Sequence, residues 1–219
     1  MSMEVDLGAG DVAYRCNLVT VQNGIMTDFS AGHISSPEGA ELLSSLGNRI
    51  PGVFFRPGVS YRNLLVVHDG KGATSTPPHD IVGKNIADYL PKGGDAGRLL
   101  QCMEKSTEIF FEHTVNCARQ QSGKPPATQI WPWSGGNKPA FPSFEKKYGK
   151  KGGVISAVDL LNGIARCAGM EVITVPGATG YLDTDYDAKG HYALEAIRHL
   201  DFLYLHIEAP DEAGHLGNI

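Results

Sequence analysis

The order of predicted strands and helices changes near residue 127, and this change constrains the fold more than any other feature of the 219-residue sequence. Residues 12–68 predict two pairs of strands with a helix between them, an order typical of an antiparallel sheet. From residue 153 onward, predicted strands and helices alternate, which is typical of a parallel sheet. We therefore predict an α+β module with an antiparallel sheet, followed by part of a doubly wound α/β sheet.

Local signals define the elements of the first module. The strand predicted over residues 12–21 is followed by Gln22-Asn23-Gly24, which suits a type I′ hairpin turn. Ser36-Pro37-Glu38 indicates the start of a helix. Residues 72–95 lack periodicity and predict a long ordered loop. Apolar residues at helical spacing over 97–121 predict one long helix.

The last third of the chain contains the parallel pattern. Residues 201–207 are almost continuously apolar, as expected for a parallel strand covered on both faces. An open edge of such a sheet would invite pairing with another copy of the chain. With the boundary near residue 127, we predict a short linker (1–10), the α+β domain (11–126) and the parallel-sheet domain (127–219).

Composition excludes several classes of function. Lys and Arg number 19 against 24 Asp and Glu, a net charge of −5, so no basic field attracts nucleic acid or anionic lipid. An anionic ligand must therefore be held by a few placed arginines. The four cysteines lack metal-ligand spacing and predict free thiols. No signal sequence or membrane-spanning run is present, so we expect a cytoplasmic protein.

The sharpest chemical signal is the segment 208–215, EAPDEAGH, just after the apolar strand. Ligands of open α/β sheets bind at the carboxyl ends of strands. If Pro210 begins a helix, Asp211 and His215 are four residues apart and share one face, where a carboxylate and an imidazole could bind one metal ion. The alternative is that Asp211 supports the helix start and His215 lies on its surface.

Several segments resemble the archaeal-type cofactor-independent phosphoglycerate mutases of the alkaline phosphatase superfamily. The resemblance covers almost the whole chain and lies in the segments GDVAYRCN (10–17), SAGHIS (30–35), GVSYR (58–62), PPHD (77–80), KPPATQIW (124–131), GVISAVDL (153–160), VPGATGYLDT (175–184) and EAPDEAGH (208–215). It implies that residues 11–126 form an inserted domain that closes over substrate. Residues 127–219 would form part of an alkaline-phosphatase-like metal-binding domain.

The same resemblance implies a reaction and its cofactors. Such enzymes interconvert 3-phosphoglycerate and 2-phosphoglycerate through a phosphoserine, in glycolysis and gluconeogenesis. They use two divalent cations, usually manganese, and no 2,3-bisphosphoglycerate. Paired metals would activate the serine and neutralise phosphoryl oxygens. By this resemblance Asp211 and His215 would be ligands of one metal.

The sequence also departs from the family pattern. The family's Asp-Gly-x-Gly-Asp motif, its nucleophilic serine and its later Asp-His ligands are absent, and Asp69-Gly70 is better explained as a turn. We therefore expect no catalytic nucleophile in this chain, and we expect the chain to be an internal fragment that is inactive by itself.

Substrate-binding candidates lie in the family-like segments of the first module. Bidentate arginines orient carboxylates and phosphates, so Arg15 and Arg62, with His79, are the predicted ligands of a phosphoglycerate. The alternative for each is an ordinary surface ion pair. Arg56, His33 and Asp80 are weaker candidates. Two other functions stay open here: a different metal-dependent phosphatase or phosphotransferase, and a non-catalytic binding module.

Overall fold

The structure is a computed structural model that describes residues 5–47 and 49–217, with the side chains of residues 215 and 216 left out. It divides into two compact units. The antiparallel unit is Leu7–Lys138, and the parallel unit contains the described residues on either side of it. Each unit is described by itself below.

The antiparallel unit contains seven strands, three α-helices and two 3₁₀ turns in its described residues. Its strands are β1 (Val12–Gln22), β2 (Ile25–Asp28), β3 (Val53–Val59), β4 (Arg62–Val67), β5 (Ala73–Thr74), β6 (Lys92–Gly93) and β7 (Gln129–Asn137). Its helices are α1 (Ser36–Leu46), α2 (Ala96–Phe111) and α3 (Thr114–Gln121), and the 3₁₀ turns are Pro78–Ile81 and Ile86–Tyr89.

Strand β1 is the centre of a five-stranded antiparallel sheet. It pairs with β4 and β7 along residues 12–19, and with β2 at its end, while β3 pairs with β4. Side chains alternate between the faces of a strand. Tyr14, Cys16 and Leu18 are fully buried on one face, where Leu18 lies against α1 at Gly39. Arg15 and Asn17 therefore lie on the opposite face, which we call the arginine face.

The local signals of this unit are largely confirmed. Asn23 and Gly24 have φ values of 50° and 76°, the left-handed pair that a type I′ turn requires. Helix α1 begins with a capping box between Ser35 and Glu38. The predicted loop 72–95 contains the short pair β5 and β6 as well as the 3₁₀ turns.

Two predictions for this unit are wrong. The single helix over 97–121 is interrupted between α2 and α3, where His113 caps α3 by accepting a hydrogen bond from the Val115 amide at 3.3 Å. The domain boundary lies after Lys138 and not near residue 127. The reason is that β7, which follows residue 127, pairs with β1 and so completes the antiparallel sheet. Pro132 fits this strand because an edge strand tolerates a missing amide donor.

The parallel unit alternates strands and helices, as predicted. Its elements are α4 (Phe144–Tyr148), β8 (Gly152–Ile155), α5 (Asp159–Cys167), β9 (Glu171–Val172), α6 (Tyr186–Ala196), β10 (Phe202–Leu205) and α7 (Ala209–Leu216). The strands form a parallel sheet in the order β10-β8-β9. The predicted fold class, an antiparallel α+β module with part of a parallel α/β sheet, is confirmed.

Strand β10 is less covered than its sequence predicts. Phe202 and Tyr204 are 45% and 43% exposed. Continuous apolar character predicts cover on both faces, but the described residues of this unit do not bury these rings. An apolar sequence shows that a strand can be buried on both faces, but its actual exposure depends on which elements pack against those faces.

Candidate functional site

The arginine face brings together the three residues predicted to bind an anion. Arg15 of β1 pairs with Leu64, and Arg62 of β4 pairs with Asn17. Residues paired across antiparallel strands point to the same face, so the two arginines are diagonal neighbours on it. His79 comes from the 3₁₀ turn Pro78–Ile81.

Aromatic rings connect these cations. The guanidinium carbon of Arg15 lies 4.3 Å from the ring centroid of Trp133, and that of Arg62 lies 5.2 Å from Tyr61. The imidazole of His79 lies edge-on to Trp133 at 5.3 Å and to Phe29 at 6.1 Å. Phe29 in turn contacts Tyr61 at 5.7 Å. We call Phe29, Tyr61, His79 and Trp133 the ring cluster.

The charges on this face have little compensation. Arg15 and Arg62 are exposed, and neither forms an ion pair with a carboxylate in the described part of the chain. Among the carboxylates that the structure describes, His79 pairs only with Asp80, whose Oδ1 lies 3.7 Å away; both side chains are about half exposed, and such a pair contributes little stability. Within the described part of the chain, the two arginines therefore do not form the surface ion pairs that were the alternative. Their guanidinium groups can donate hydrogen bonds to an external anion.

Residues that sequence reasoning missed complete this face. Trp133 lies directly across from Arg15 in β7, and its indole N–H donates to Asn17 Oδ1 at 2.9 Å. Arg56, a weaker candidate, pairs with Leu64 and thus lies in the same row as Arg15. The alternation Trp-Pro-Trp at 131–133 was the available signal, because it places two indoles on one face of a strand.

The parallel unit places an acidic cluster after the end of β10. Glu208, Asp211 and Glu212 each offer a carboxylate oxygen, and these oxygens lie within 4.8 Å of one another. Helix α7 begins at Ala209 with Pro210 in its first turn, as the sequence predicts. His215 lies in the same helix, but its side chain is outside the described residues, so its pairing with Asp211 stays a prediction.

The donor set of the acidic cluster suits a hard cation. Carboxylate oxygens are the ligands that Mg²⁺, Mn²⁺ and Ca²⁺ prefer. The same positions also favour negative charge without a metal, since they lie at the amino end of a helix. The residues therefore fit a divalent cation, and three carboxylates so close together would repel one another less with one bound.

Polar groups surround the acidic cluster at the carboxyl edge of the sheet. His206 Nε2 lies 3.2 Å from Glu208 Oε2, and its Nδ1 lies 3.5 Å from Ser156 Oγ. Lys189 is only 1% exposed, and its ammonium donates to the His206 carbonyl at 3.2 Å. His206 and Lys189 were not among the predicted site residues, and Glu208 was predicted only as part of its motif.

Comparisons with known proteins identify the relatives of this chain. A family model described as 2,3-bisphosphoglycerate-independent phosphoglycerate mutase matches residues 1–116. A protein of that name from Methanothrix thermoacetophila is 54% identical over 100% of this chain and 56% of its own length. One from Methanocaldococcus jannaschii is 35% identical over 98% of this chain and 55% of its own length. The chain thus spans about half the length of these curated relatives.

Solved structures agree on the fold. A cofactor-independent phosphoglycerate mutase from Thermoplasma acidophilum superposes with a TM-score of 0.66 at 26% identity, over 94% of this chain and 56% of that one. A protein from Pyrococcus horikoshii gives 0.77 at 24% identity, over 99% and 52% respectively. No helix among the described residues is long and apolar enough to cross a membrane.

Proposed function

Because the chain belongs to the family of 2,3-bisphosphoglycerate-independent phosphoglycerate mutases, we propose that the protein to which it contributes interconverts 3-phosphoglycerate and 2-phosphoglycerate. The reaction is an isomerisation by phosphoryl transfer, and it requires no 2,3-bisphosphoglycerate. We place it in the cytoplasm, as a step of glycolysis and gluconeogenesis. The observation that carries the proposal is the arginine face, where Arg15 and Arg62 lie near each other without carboxylate partners among the described residues.

Arg15, Arg62 and His79 would bind the substrate. A phosphoglycerate carries a carboxylate and a phosphate, and each guanidinium can donate two parallel hydrogen bonds to either group. The two arginines lie on one face of adjacent strands, two residues apart in register. They are therefore suited to hold the two ends of a small dianionic molecule, with His79 as a further donor.

Asp211, with Glu208 or Glu212, would hold one divalent cation, and His215 would complete its ligands. When bound, manganese or a similar ion would neutralise phosphoryl oxygens and lower the pKa of a hydroxyl nucleophile. The oxygen-rich donor set supports this assignment. The chain's own carboxylates would orient the ion, and the His206 imidazole would hold Glu208 in place.

Binding of 3-phosphoglycerate to the full 219-residue chain, measured by calorimetry, tests the anion site. We expect Arg15→Met and Arg62→Met each to weaken binding by about tenfold or more, the loss typical of a charge-assisted hydrogen bond. Lys105→Met is the matched control, because Lys105 lies on α2, away from the arginine face, in an exposed pair with Glu108. Equal affinity in all four proteins would refute the assignment.

A turnover assay tests the proposed reaction and the expected absence of a nucleophile in this chain. We expect no conversion of 3-phosphoglycerate by this chain with Mn²⁺, because the family's nucleophilic serine motif is absent from its sequence. Measurable production of 2-phosphoglycerate would show that a hydroxyl of this chain is the nucleophile. Release of inorganic phosphate without 2-phosphoglycerate would instead favour a phosphatase.

A further inference from the structure

We infer that Asn17 and Trp133 are positioning residues, which hold Arg15 and His79 in the geometry that binds the anion. The inference rests on the proposed function, since it concerns the same arginine face. Trp133 contacts both cationic residues, and Asn17 fixes Trp133. Neither residue needs to contact the ligand for this role.

The amide of Asn17 joins the Trp133 indole to the backbone at Phe29. It is 3% exposed. Its Oδ1 accepts from the Trp133 indole at 2.9 Å, and its Nδ2 donates to the Phe29 carbonyl at 3.0 Å. Reversal of this amide would place a donor against the indole N–H and an acceptor against the carbonyl. Asn17 therefore holds one orientation, which fixes the Trp133 indole relative to the backbone at Phe29.

The two rings in turn enclose His79. The imidazole makes edge contacts with Trp133 at an interplanar angle of 77° and with Phe29 at 74°. His79 is otherwise on a short 3₁₀ turn and about half exposed. The paired edge contacts restrict the His79 ring, which contacts the same indole as Arg15.

Trp133 restrains Arg15 by a different contact. Its indole is 8% exposed and lies under the guanidinium, 4.3 Å from the ring centroid to Cζ. Trp is the strongest of the aromatic partners for a cation. A free arginine loses much rotamer freedom when it binds a ligand, and a guanidinium already held over a ring loses less. The effect is a higher affinity for the anion without an added contact.

Trp133 variants separate positioning from packing. Phe keeps a ring under Arg15 and loses the indole N–H, whereas Leu removes the ring. We expect W133L to weaken 3-phosphoglycerate binding by about tenfold and W133F by less than about threefold, as the loss of a partly desolvated cation–π contact implies. Tyr89→Leu is the matched control, because it removes a ring beneath Lys84 elsewhere in this unit. Equal losses in W133L, W133F and Y89L would overturn the inference.

A second measurement does not depend on the ligand. The Nε–Hε resonance of Arg15, assigned from its loss in Arg15→Lys, should show a ring-current shift in the wild type. That shift should shrink in W133F and in Asn17→Ala, because both variants lose the hydrogen bond between the indole and the Asn17 amide, and it should vanish in W133L. If Asn17→Ala does not fold, the two Trp133 variants still test whether Trp133 positions Arg15. An Arg15 resonance identical in the wild type and W133L would overturn the inference.

The two measurements distinguish failure of the inference from failure of the proposed function. A wild-type chain that does not bind 3-phosphoglycerate contradicts the proposed function. In that case the Arg15 resonance still supports or overturns the positioning of Arg15. Binding that is intact in W133L contradicts the positioning role alone.

Discussion

Arg119 is a buried cation whose loss should strongly destabilise the antiparallel unit. It is 3% exposed and lies on α3. Its guanidinium donates to the carbonyl oxygens of Pro125 and Ala31 at 2.9 and 2.6 Å. It also donates to Glu38 Oε2 at 2.9 Å. One planar group thus joins α3 to the start of α1 and to two connecting segments, and we predict that Arg119→Met strongly destabilises this unit.

The size of the effect follows from what each acceptor loses. Hydrogen bonds to charged groups contribute about 1.5–3 kcal/mol each. Removing one partner of a buried ion pair costs about 3–5 kcal/mol. Glu38 is 30% exposed and can regain water, so the free-energy cost at this carboxylate lies at the low end of that range. Ala31 is fully buried, and its carbonyl oxygen loses the donor that Arg119 supplied. Methionine keeps most of the packing, which leaves an expected loss of about 3–5 kcal/mol.

Tryptophan fluorescence during urea and thermal unfolding measures this loss. Both tryptophans of the chain, Trp131 and Trp133, are in the antiparallel unit, so the signal reports that unit and not the other. A loss of 3–5 kcal/mol corresponds to a fall in melting temperature of roughly 10–20 °C for a unit of this size. Lys105→Met removes an exposed ion pair of the same unit and should cost under about 1 kcal/mol.

The pH dependence gives a separate check on the ion pair. Burial alone raises the pKa of Glu38, but hydrogen bonds from Ser35 and Arg119 outweigh it and leave this pKa below its usual 4.5. A lowered folded-state pKa contributes stability above about pH 4.5, and this contribution is lost as the pH falls through the folded-state value. The difference between wild type and Arg119→Met should therefore narrow in acid. A loss under 1 kcal/mol at pH 7, or a difference independent of pH, would refute the reasoning.

Two further predictions concern the core of the antiparallel unit. A methyl group at Gly135 would overlap the buried ring of Tyr14, whereas at Gly136 it would meet nothing within 4 Å. We expect Gly135→Ala to lower the free energy of unfolding by about 1–3 kcal/mol and Gly136→Ala to lower it by less than about 1, measured by urea unfolding. Burial raises the pKa of the Cys102 thiol to about 12, so a thiol reagent at pH 8 should label exposed Cys117 rapidly and Cys102 only after denaturation. Rapid labelling of Cys102 in the folded protein would contradict its burial.

Features encoded within a few residues could be predicted from the sequence. Asn23-Gly24 is sufficient for its hairpin turn, because few other residues adopt two successive left-handed conformations. The helix start at Ser35 is equally local. The interruption of the long helix at His113 could not be predicted, because apolar spacing continues across it and only the capping contact marks the break.

Features that depend on distant segments could not be predicted in this way. The role of Arg119 requires Ala31 and Glu38, two partners more than eighty residues from it in sequence. The domain boundary required the pairing of β7 with β1, which joins segments more than a hundred residues apart. Arg15 and Arg62 were predicted from family-like segments, and they are diagonal neighbours on one face only because β1 and β4 are paired in that register.

The position of Trp133 depends on a single irregularity in β7. This irregularity is a β-bulge. Along β1, Ala13 pairs with Gly136 and Arg15 pairs with Trp133, so two residues of β7, Ser134 and Gly135, lie opposite the single residue Tyr14. Ser134 has a positive φ of 52°, and Gly135 lies against the Tyr14 ring. Without this extra residue the register would move by one, and Trp133 would point to the helix-covered face and not to Arg15. The alternation Trp-Pro-Trp indicates that the two indoles share a face of β7, but which face they share is set by backbone geometry at two small residues, and the periodicity does not report it.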